Sequence, residues 1–293
     1  MKTNKPRVSR KGSRVANRWA VLVLLVCVGT AAVLCFMAWR ELNERSRGNA
    51  YYEGLSDALR RETDAPAPTD PLLQASHAPT DSPAPDATTA PGLPAPSDTP
   101  APVSSAIDFD LLRQTCPDVV GWITIEGTQI DYPVVQGEDN DFYLSHLPDG
   151  KANEAGSIMM DAACDGLFGD ELTTLHGHHM KNHSMFGGLD FYREAEYYFE
   201  HPTIRLYTPA GDFEVAIFAA YTLDGEAFGY PTAFESGEAF RAFVEEARAR
   251  SAFQADIQVS RGDRLLLLST CAYSYATERL LVVGKILPTG QAG

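Results

Sequence analysis

Cysteine is scarce in this chain, with five among 293 residues. A disulfide-stabilised mini-protein, which depends on closely spaced cysteines, is therefore excluded. Positive charge is also scarce over most of the chain. Residues 1–18 carry seven Lys or Arg and no acid, whereas the whole chain has a net charge of −15, so the remaining residues carry −22. Such an acidic body argues against nucleic-acid binding, because it would repel phosphates.

Charge is absent altogether from residues 19–39 (WAVLVLLVCVGTAAVLCFMAW). As a helix this run would extend roughly 31 Å, enough to cross the hydrocarbon core of a membrane. Trp19 and Trp39 occupy its ends, where interfacial tryptophans are expected. The alternative is a cleavable signal peptide, but the run is longer than the usual apolar region, and residues 36–40 make a poor cleavage site. We predict an uncleaved single-pass anchor at 19–39.

The charges on either side of this anchor predict its orientation. The basic residues of 1–18 precede it, while residues 40–62 contain five Arg and five acids. The positive-inside rule then makes 1–18 a cytoplasmic tail and puts the rest of the chain outside the cell membrane. Residues 40–62 are interpreted as a juxtamembrane helix. We predict a cell-membrane protein with an extracellular body.

Residues 63–104 are rich in Pro, Ala, Thr, Ser and Asp, with eleven prolines. Such a composition cannot bury a core and favours extended polyproline II structure. At about 3.1 Å per residue the segment would reach on the order of 130 Å, which predicts an extracellular spacer. A disordered linker without a particular reach is the alternative.

Residues 105–288 read as one folded domain, and it is mostly β. About eight short segments rich in β-branched or aromatic residues predict a barrel or a sandwich with helical insertions. One helix is expected after Ser236, a plausible N-cap, and another near 186–199. The predicted strands are 119–125, 129–135, 156–160, 172–176, 203–208, 214–222, 264–270 and 279–287.

Cys271 ends an apolar strand, and Arg279 opens the next strand eight residues later. If the two strands form a hairpin, the thiol and the guanidinium lie at neighbouring strand ends. A fixed cation there would stabilise a thiolate and, later, a tetrahedral oxyanion. A buried structural cysteine and a solvent-facing arginine are the alternatives.

Four of the seven histidines fall within residues 176–183, directly after a predicted strand. One of them is a candidate acid–base partner for Cys271. A metal site is a second interpretation, although the segment lacks a spacing such as His-Glu-x-x-His. A polar loop that happens to be rich in histidine is the third.

Taken together, these motifs resemble the sortases, membrane-anchored cysteine transpeptidases of Gram-positive bacteria, and within them class B. The resemblance spans about residues 108–287 in the expected order. The matching stretches are PDVVGWI (117–123), GTQIDYPVVQG (127–137), Asp139-Asn140 through Leu144, GSI (156–158), GHHMK (177–181), SMF (184–186), LSTC (268–271) and Arg279.

The resemblance implies an eight-stranded β-barrel in which Cys271 is the nucleophile, His178 its acid–base partner and Arg279 the oxyanion-stabilising or substrate-positioning cation. It makes the helix after Ser236 the extra helix of class B. It also places Asn140, Leu144 and Thr270 at the substrate groove. One departure is His176, because family members more often carry an aromatic residue before Gly-His.

The function that the resemblance implies is thiol-dependent cleavage of a C-terminal sorting motif, Asn-Pro-x-Thr-like, in secreted proteins. The acyl group would then pass to a peptidoglycan amine, which anchors the protein to the cell wall; no cofactor or metal is expected. A sortase that joins pilins through a pilin lysine is one alternative. A non-catalytic surface-binding module on a stalk is the other.

Two further features stay open from the sequence alone. Cys116 and Cys164 either form a disulfide or remain separate buried thiols. Asp161, Asp165 and Asp170 form an acidic loop, which is a solvated face or a Ca²⁺ site, although no EF-hand-like spacing is present.

Overall fold

The computed structural model describes residues 12–63, 105–224, 230–271 and 278–287. The predicted spacer, apart from Thr63, and the loop between Cys271 and Glu278 lie outside the described residues. The chain divides into two compact units, Met1–Tyr51 and Tyr52–Gly293.

The first unit contains most of helix α1, Gly12–Thr63. Between Val21 and Leu59 this helix includes an 18-residue stretch of mean hydropathy 2.8, none of it buried, which is long and apolar enough to cross a membrane. The large apolar side chains described between Trp19 and Trp39 are all exposed. An apolar helix without protein packing is suited to lipid, which fits the predicted anchor.

The second unit is a closed eight-stranded barrel with the strand order β1-β2-β3-β4-β7-β8-β6-β5. This confirms the predicted fold class. Its strands are β1 Val119–Thr124, β2 Asp131–Val135, β3 Ile158–Met160, β4 Leu172–His178, β5 Thr203–Thr208, β6 Gly211–Asp224, β7 Leu265–Cys271 and β8 Glu278–Leu287. Closure leaves no open sheet edge.

Two pairings bring the predicted catalytic strands together. Strand β4 runs parallel to β7 over seven residue pairs, and β7 runs antiparallel to β8. The pairing of β7 with β8 confirms the hairpin-like arrangement expected for Cys271 and Arg279. The carboxyl ends of β4 and β7 and the amino end of β8 therefore lie at the same rim of the barrel.

The remaining helices cover the barrel. They are α2 Phe109–Thr115, the 3₁₀ helices Phe142–Leu144 and Phe186–Arg193, α3 Ala195–Glu200 and α4 Gly237–Arg250. Ser236 caps α4 as predicted, since its hydroxyl accepts a hydrogen bond from the Ala239 N–H. The buried residues Phe240, Val244 and Ala247 of α4 pack on strands β6, β7 and β8.

The last turns of α1 belong to the barrel unit. Leu59 packs with Phe109, Leu112 and Trp122 in one buried cluster. Ser56 Oγ donates a hydrogen bond to Asp131 Oδ2 at 2.8 Å. The folded body therefore includes residues before 105, the boundary expected from sequence, because an apolar stripe on this helix end covers the barrel wall.

Candidate active site

The register of β4 and β7 brings the predicted base and nucleophile together. His178 is the residue paired with Cys271, and Gly177 is paired with Thr270. Adjacent strands lie about 4.8 Å apart, so the two backbones are immediate neighbours although 93 positions separate them in sequence. This juxtaposition is what a cysteine–histidine pair requires.

The His178 ring is half-buried, and one of its nitrogens is firmly held. Its Nε2 lies 2.6 Å from the Leu144 carbonyl oxygen. A carbonyl can only accept a hydrogen bond, so Nε2 carries the proton in the neutral ring. The Nδ1 atom is buried and has no hydrogen-bond partner among the described residues. Nδ1 is therefore the nitrogen whose lone pair is available for proton transfer.

The close packing around Gly177 explains why a glycine precedes His178. A Cβ at this position would lie 2.6 Å from Ile158 Cδ1 and 2.7 Å from Phe186 Cδ2. Real Cβ atoms do not approach other heavy atoms so closely, so any larger residue would push against the buried side chains of Ile158 and Phe186. The Gly-His motif thus lets β4 pack tightly directly beside the predicted base.

Arg279 is buried, with 4 % of its surface exposed. Its Nη1 donates to the Thr270 carbonyl at 3.3 Å, and the next backbone N–H, of Leu280, donates to Thr270 Oγ1 at 3.0 Å. The antiparallel register pairs Ser269 with Leu281. Cys271 and Arg279 each lie two residues beyond this last pair, on β7 and β8. A solvent-facing arginine is thereby excluded.

Comparison with known proteins shows which family the chain belongs to. Sortase B of Listeria monocytogenes is 34% identical over 178 residues, which cover 60% of this chain and 72% of the relative. Sortase B of Staphylococcus aureus is 34% identical over 181 residues, which cover 61% of this chain and 74% of the relative. The chain belongs to the class B sortases. It is accordingly a cysteine transpeptidase of the sortase type.

Solved structures agree with this assignment. A 2.0 Å crystal structure of the S. aureus sortase B matches with a TM-score of 0.64 and 28% identity, and the match covers 83% of this chain and 99% of that one. The sortase B of Bacillus anthracis in complex with AAEK1 matches with a TM-score of 0.57 and 35% identity over 61% and 83% of the two chains. No protein-family model matches the chain.

His176, two residues before His178, belongs to a buried polar network. Its Nε2 lies 3.0 Å from Asp161 Oδ2, and both side chains are almost fully buried. The same carboxylate oxygen accepts from Asn140 Nδ2 at 3.1 Å, and Asp161 Oδ1 accepts from the Ala163 N–H. The hydrogen bond from His176 is the main cause that lowers the pKa of Asp161 to about 2.

The other two histidines of the 176–183 segment have partners of their own. His179 Nε2 forms a short hydrogen bond with Asp190 Oδ2, and Arg193 lies on the other oxygen of that carboxylate. The His183 ring packs against Phe191 with centroids 4.8 Å apart. Within the part of the chain that the structure describes, no group of three or more His, Cys, Asp or Glu is arranged to hold a metal ion.

The three residues expected at the substrate groove all have structural roles here. The Asn140 side chain bonds to both the Asp161 carboxylate and the next residue's backbone, because its Oδ1 also accepts a hydrogen bond from the Ala162 N–H. The Leu144 carbonyl accepts the hydrogen bond from His178 Nε2. Thr270 holds the start of β8. Leu144 and Thr270 thus adjoin the predicted catalytic residues, whereas the Asn140 side chain is engaged with Asp161.

Tyr230 is a residue at the site that the sequence did not single out. It precedes α4, and burial raises the pKa of its phenol, while the nearby Ser269 hydroxyl and Arg279 charge oppose that shift. In the sequence it lies between β6 and α4, in a stretch that carries no motif. A lone tyrosine in such a connection gives no sequence signal.

The remaining open features have structural answers. Cys116 and Cys164 are not joined by a disulfide, and both are buried. Burial raises the pKa of the Cys164 thiol to about 11. In the acidic loop, Asp165 accepts from the backbone N–H groups of Leu167 and Gly169, and Asp170 accepts from that of Asp165. These carboxylates stabilise the loop itself.

Proposed function

We propose that Cys271 is the nucleophile of this sortase, His178 its acid–base residue and Arg279 the cation that supports the oxyanion. The observation that carries the proposal is the pairing of His178 with Cys271, combined with an Nδ1 atom that has no partner among the described residues. The burial of Arg279 beside the end of β7 supports its role, because a desolvated cation interacts strongly with developing negative charge.

The chemistry proceeds in two acyl transfers. His178 Nδ1 takes the proton of the Cys271 thiol, and Sγ attacks the carbonyl carbon of a threonine. A C–S bond forms, and the peptide C–N bond breaks as the leaving amine takes that proton from Nδ1. An incoming amine then attacks the thioester and passes a proton to Nδ1; a new C–N bond forms, the C–S bond breaks, and Nδ1 returns the proton to Sγ. An ordinary thiol has a pKa of about 8.5, so thiolate formation depends on this histidine and on the neighbouring cation.

The substrates we propose are secreted proteins that carry an Asn-Pro-x-Thr-like sorting motif near the C-terminus. The acceptor is a peptidoglycan amine, so the product is a wall-anchored protein. One solved relative, from S. aureus, is described as a sortase B–substrate complex. A pilin lysine is the alternative acceptor, and the two acceptors differ only after the thioacyl stage.

We also propose that α1 crosses the cell membrane once, with residues 1–18 in the cytoplasm and the barrel outside. The exposed apolar surface of residues 19–39 and the basic residues before it support this orientation. An enzyme held there meets its substrates as they leave the membrane and its acceptor in the wall.

The test is mass spectrometry of the full chain in detergent after incubation with Asn-Pro-x-Thr and Leu-Pro-x-Thr peptide libraries. The full chain is required because residues 52–59 pack on the barrel. We expect an acyl adduct on Cys271 that an added amine releases, and no adduct with Cys271→Ala. An unmodified wild type across both libraries would contradict the proposal and favour a non-catalytic binding module.

A further inference from the structure

We propose that Tyr52, near the end of α1, is a positioning residue for the catalytic histidine. Its hydroxyl donates a hydrogen bond to the Gly156 carbonyl oxygen at 2.5 Å, across 104 positions of sequence. The side chain is buried, with 5 % of its surface exposed. The inference rests on the proposed function, because it assumes that His178 is the acid–base residue.

Gly156 connects Tyr52 to the hydrogen bond that holds His178. Its φ is +59°, and a Cβ built there would lie 2.6 Å from the Leu144 carbonyl oxygen. The Gly156 backbone therefore lies directly against the atom that accepts from His178 Nε2. Fixing the Gly156 carbonyl from one side limits the movement of the Leu144 carbonyl on the other.

A second contact of Tyr52 leads to the segment that follows His178. The rings of Tyr52 and Tyr132 meet edge to face, with centroids 5.1 Å apart. Tyr132 Oη accepts a hydrogen bond from the Met185 N–H at 3.0 Å. Met185 has a φ of 52°, a strained value for a residue with a side chain, and it pairs with His179. Tyr52 thus supports the backbone on two sides of the catalytic ring.

These contacts have a consequence for proton transfer. The Leu144 carbonyl keeps the ring proton on Nε2 and leaves the Nδ1 lone pair available. If that carbonyl moved, the neutral ring would also populate the tautomer with a proton on Nδ1, which cannot act as a base there. The described contacts of Tyr52 with Gly156 and Tyr132 lead to the backbone around His178, so its loss should lower kcat and leave KM nearly unchanged.

The test compares Tyr52→Phe with Ser56→Ala in the full chain in detergent micelles. Ser56→Ala is the matched control, because it removes another hydrogen bond between α1 and the barrel but leads to Asp131. Ring-¹⁵N NMR of histidine reports the tautomer of His178, and the loss of its signals in His178→Gln assigns them. We expect Tyr52→Phe to give a mixture of tautomers and about a 10-fold lower kcat, with KM within about two-fold. Ser56→Ala should leave both readouts unchanged.

Gly156→Ala is a second variant that reaches the Leu144 carbonyl with Tyr52 intact, and it should shift the same ring signals. Wild-type ring signals in Tyr52→Phe would overturn the proposal, as would equal losses of kcat in Tyr52→Phe and Ser56→Ala. If the wild type forms no acyl adduct, the proposed function fails. The ring spectra of the two variants still decide whether Tyr52 positions His178.

Discussion

Two histidines on the same strand have opposite surroundings. His176 is completely buried, and its Nε2 is bonded to a carboxylate that Asn140 and a backbone N–H also hold. His178, two residues further along β4, is half-buried, and its Nε2 is bonded to the neutral carbonyl of Leu144. One ring is part of an ionic network inside the protein, and the other lies at the end of the strand beside Cys271.

The difference shows how one strand can carry both a structural histidine and the histidine that we propose to be catalytic. A carboxylate partner ties the ring to a charge, so removing either member leaves an uncompensated buried group. A carbonyl partner fixes the tautomer without adding a charge. His176, the residue before Gly177, therefore has an acidic partner of its own within the fold.

The largest effect that separates the two histidines is expected from His178→Gln. Removing the acid–base group should lower the rate of transpeptidation about 10³-fold, while the melting temperature stays close to that of the wild type. Steady-state kinetics with a sorting-motif peptide and an amine, together with thermal melts, would measure both. Retention of most of the activity would contradict the assignment of His178.

His176→Ala should act on stability rather than on chemistry. It leaves the Asp161 carboxylate buried without its histidine, which is expected to cost about 3 kcal/mol of the free energy of unfolding. Denaturant unfolding would measure the loss, and kcat per folded molecule should change by no more than a few-fold. Adding Asp161→Asn should recover part of the stability, because the stranded charge is then absent. A large loss of kcat in a folded His176→Ala protein would show that this ring takes part in catalysis.

The pKa of Asp161 predicts how this network responds to acid. The carboxyl has a pKa of about 2 in the folded protein against an ordinary value of 3.8. Its contribution to stability is therefore complete above about pH 4 and is lost as the pH falls towards 2, and it amounts to on the order of 2 kcal/mol. Acid unfolding of the wild type should be steeper in this window than that of Asp161→Asn. Equal slopes would show that Asp161 does not contribute.

Of these variants, Asn140→Ala should have the smallest effect on stability and activity. It distinguishes a structural role of this side chain from a role in substrate binding. The structure gives Asn140 two hydrogen bonds in the Asp161 network, and their loss should cost about 1 kcal/mol. A lower melting temperature with an unchanged KM is the result expected from a structural role. A raised KM at unchanged stability would instead support the substrate-groove role that the family resemblance implies.

Much of the fold could be predicted because the pattern of the strands is local. The segment Thr203–Thr208 has the predicted bounds, and all eight strands occur where short β-branched runs indicated them. Strand ends were less predictable: β4 extends to His178 and β7 to Cys271, because each is completed by hydrogen bonds to the other. Cys271 and Arg279 were candidates from their places at the strand ends; the family resemblance singled out His178 and implied all three roles, which stay predictions.

Other features depend on contacts that no sequence pattern encodes. The Leu144 carbonyl is a backbone group, so its role beside His178 has no residue signature. The hydrogen bond between Tyr52 and Gly156 joins two segments that look unrelated in the sequence. The acidic loop looked like a solvated face, yet Asp161 is buried because His176 and Asn140 satisfy its carboxylate. All three features depend on contacts between segments that are far apart in the sequence.

We propose that His178, and not His176, is the acid–base partner of Cys271. The most direct test is single-turnover mass spectrometry of the acyl adduct on Cys271 in full-length His178→Gln and His176→Ala proteins, each corrected for its folded fraction. We expect an adduct in His176→Ala at close to the wild-type rate, and nearly none in His178→Gln on the same timescale. Rapid acylation of His178→Gln together with an inert, folded His176→Ala would contradict it.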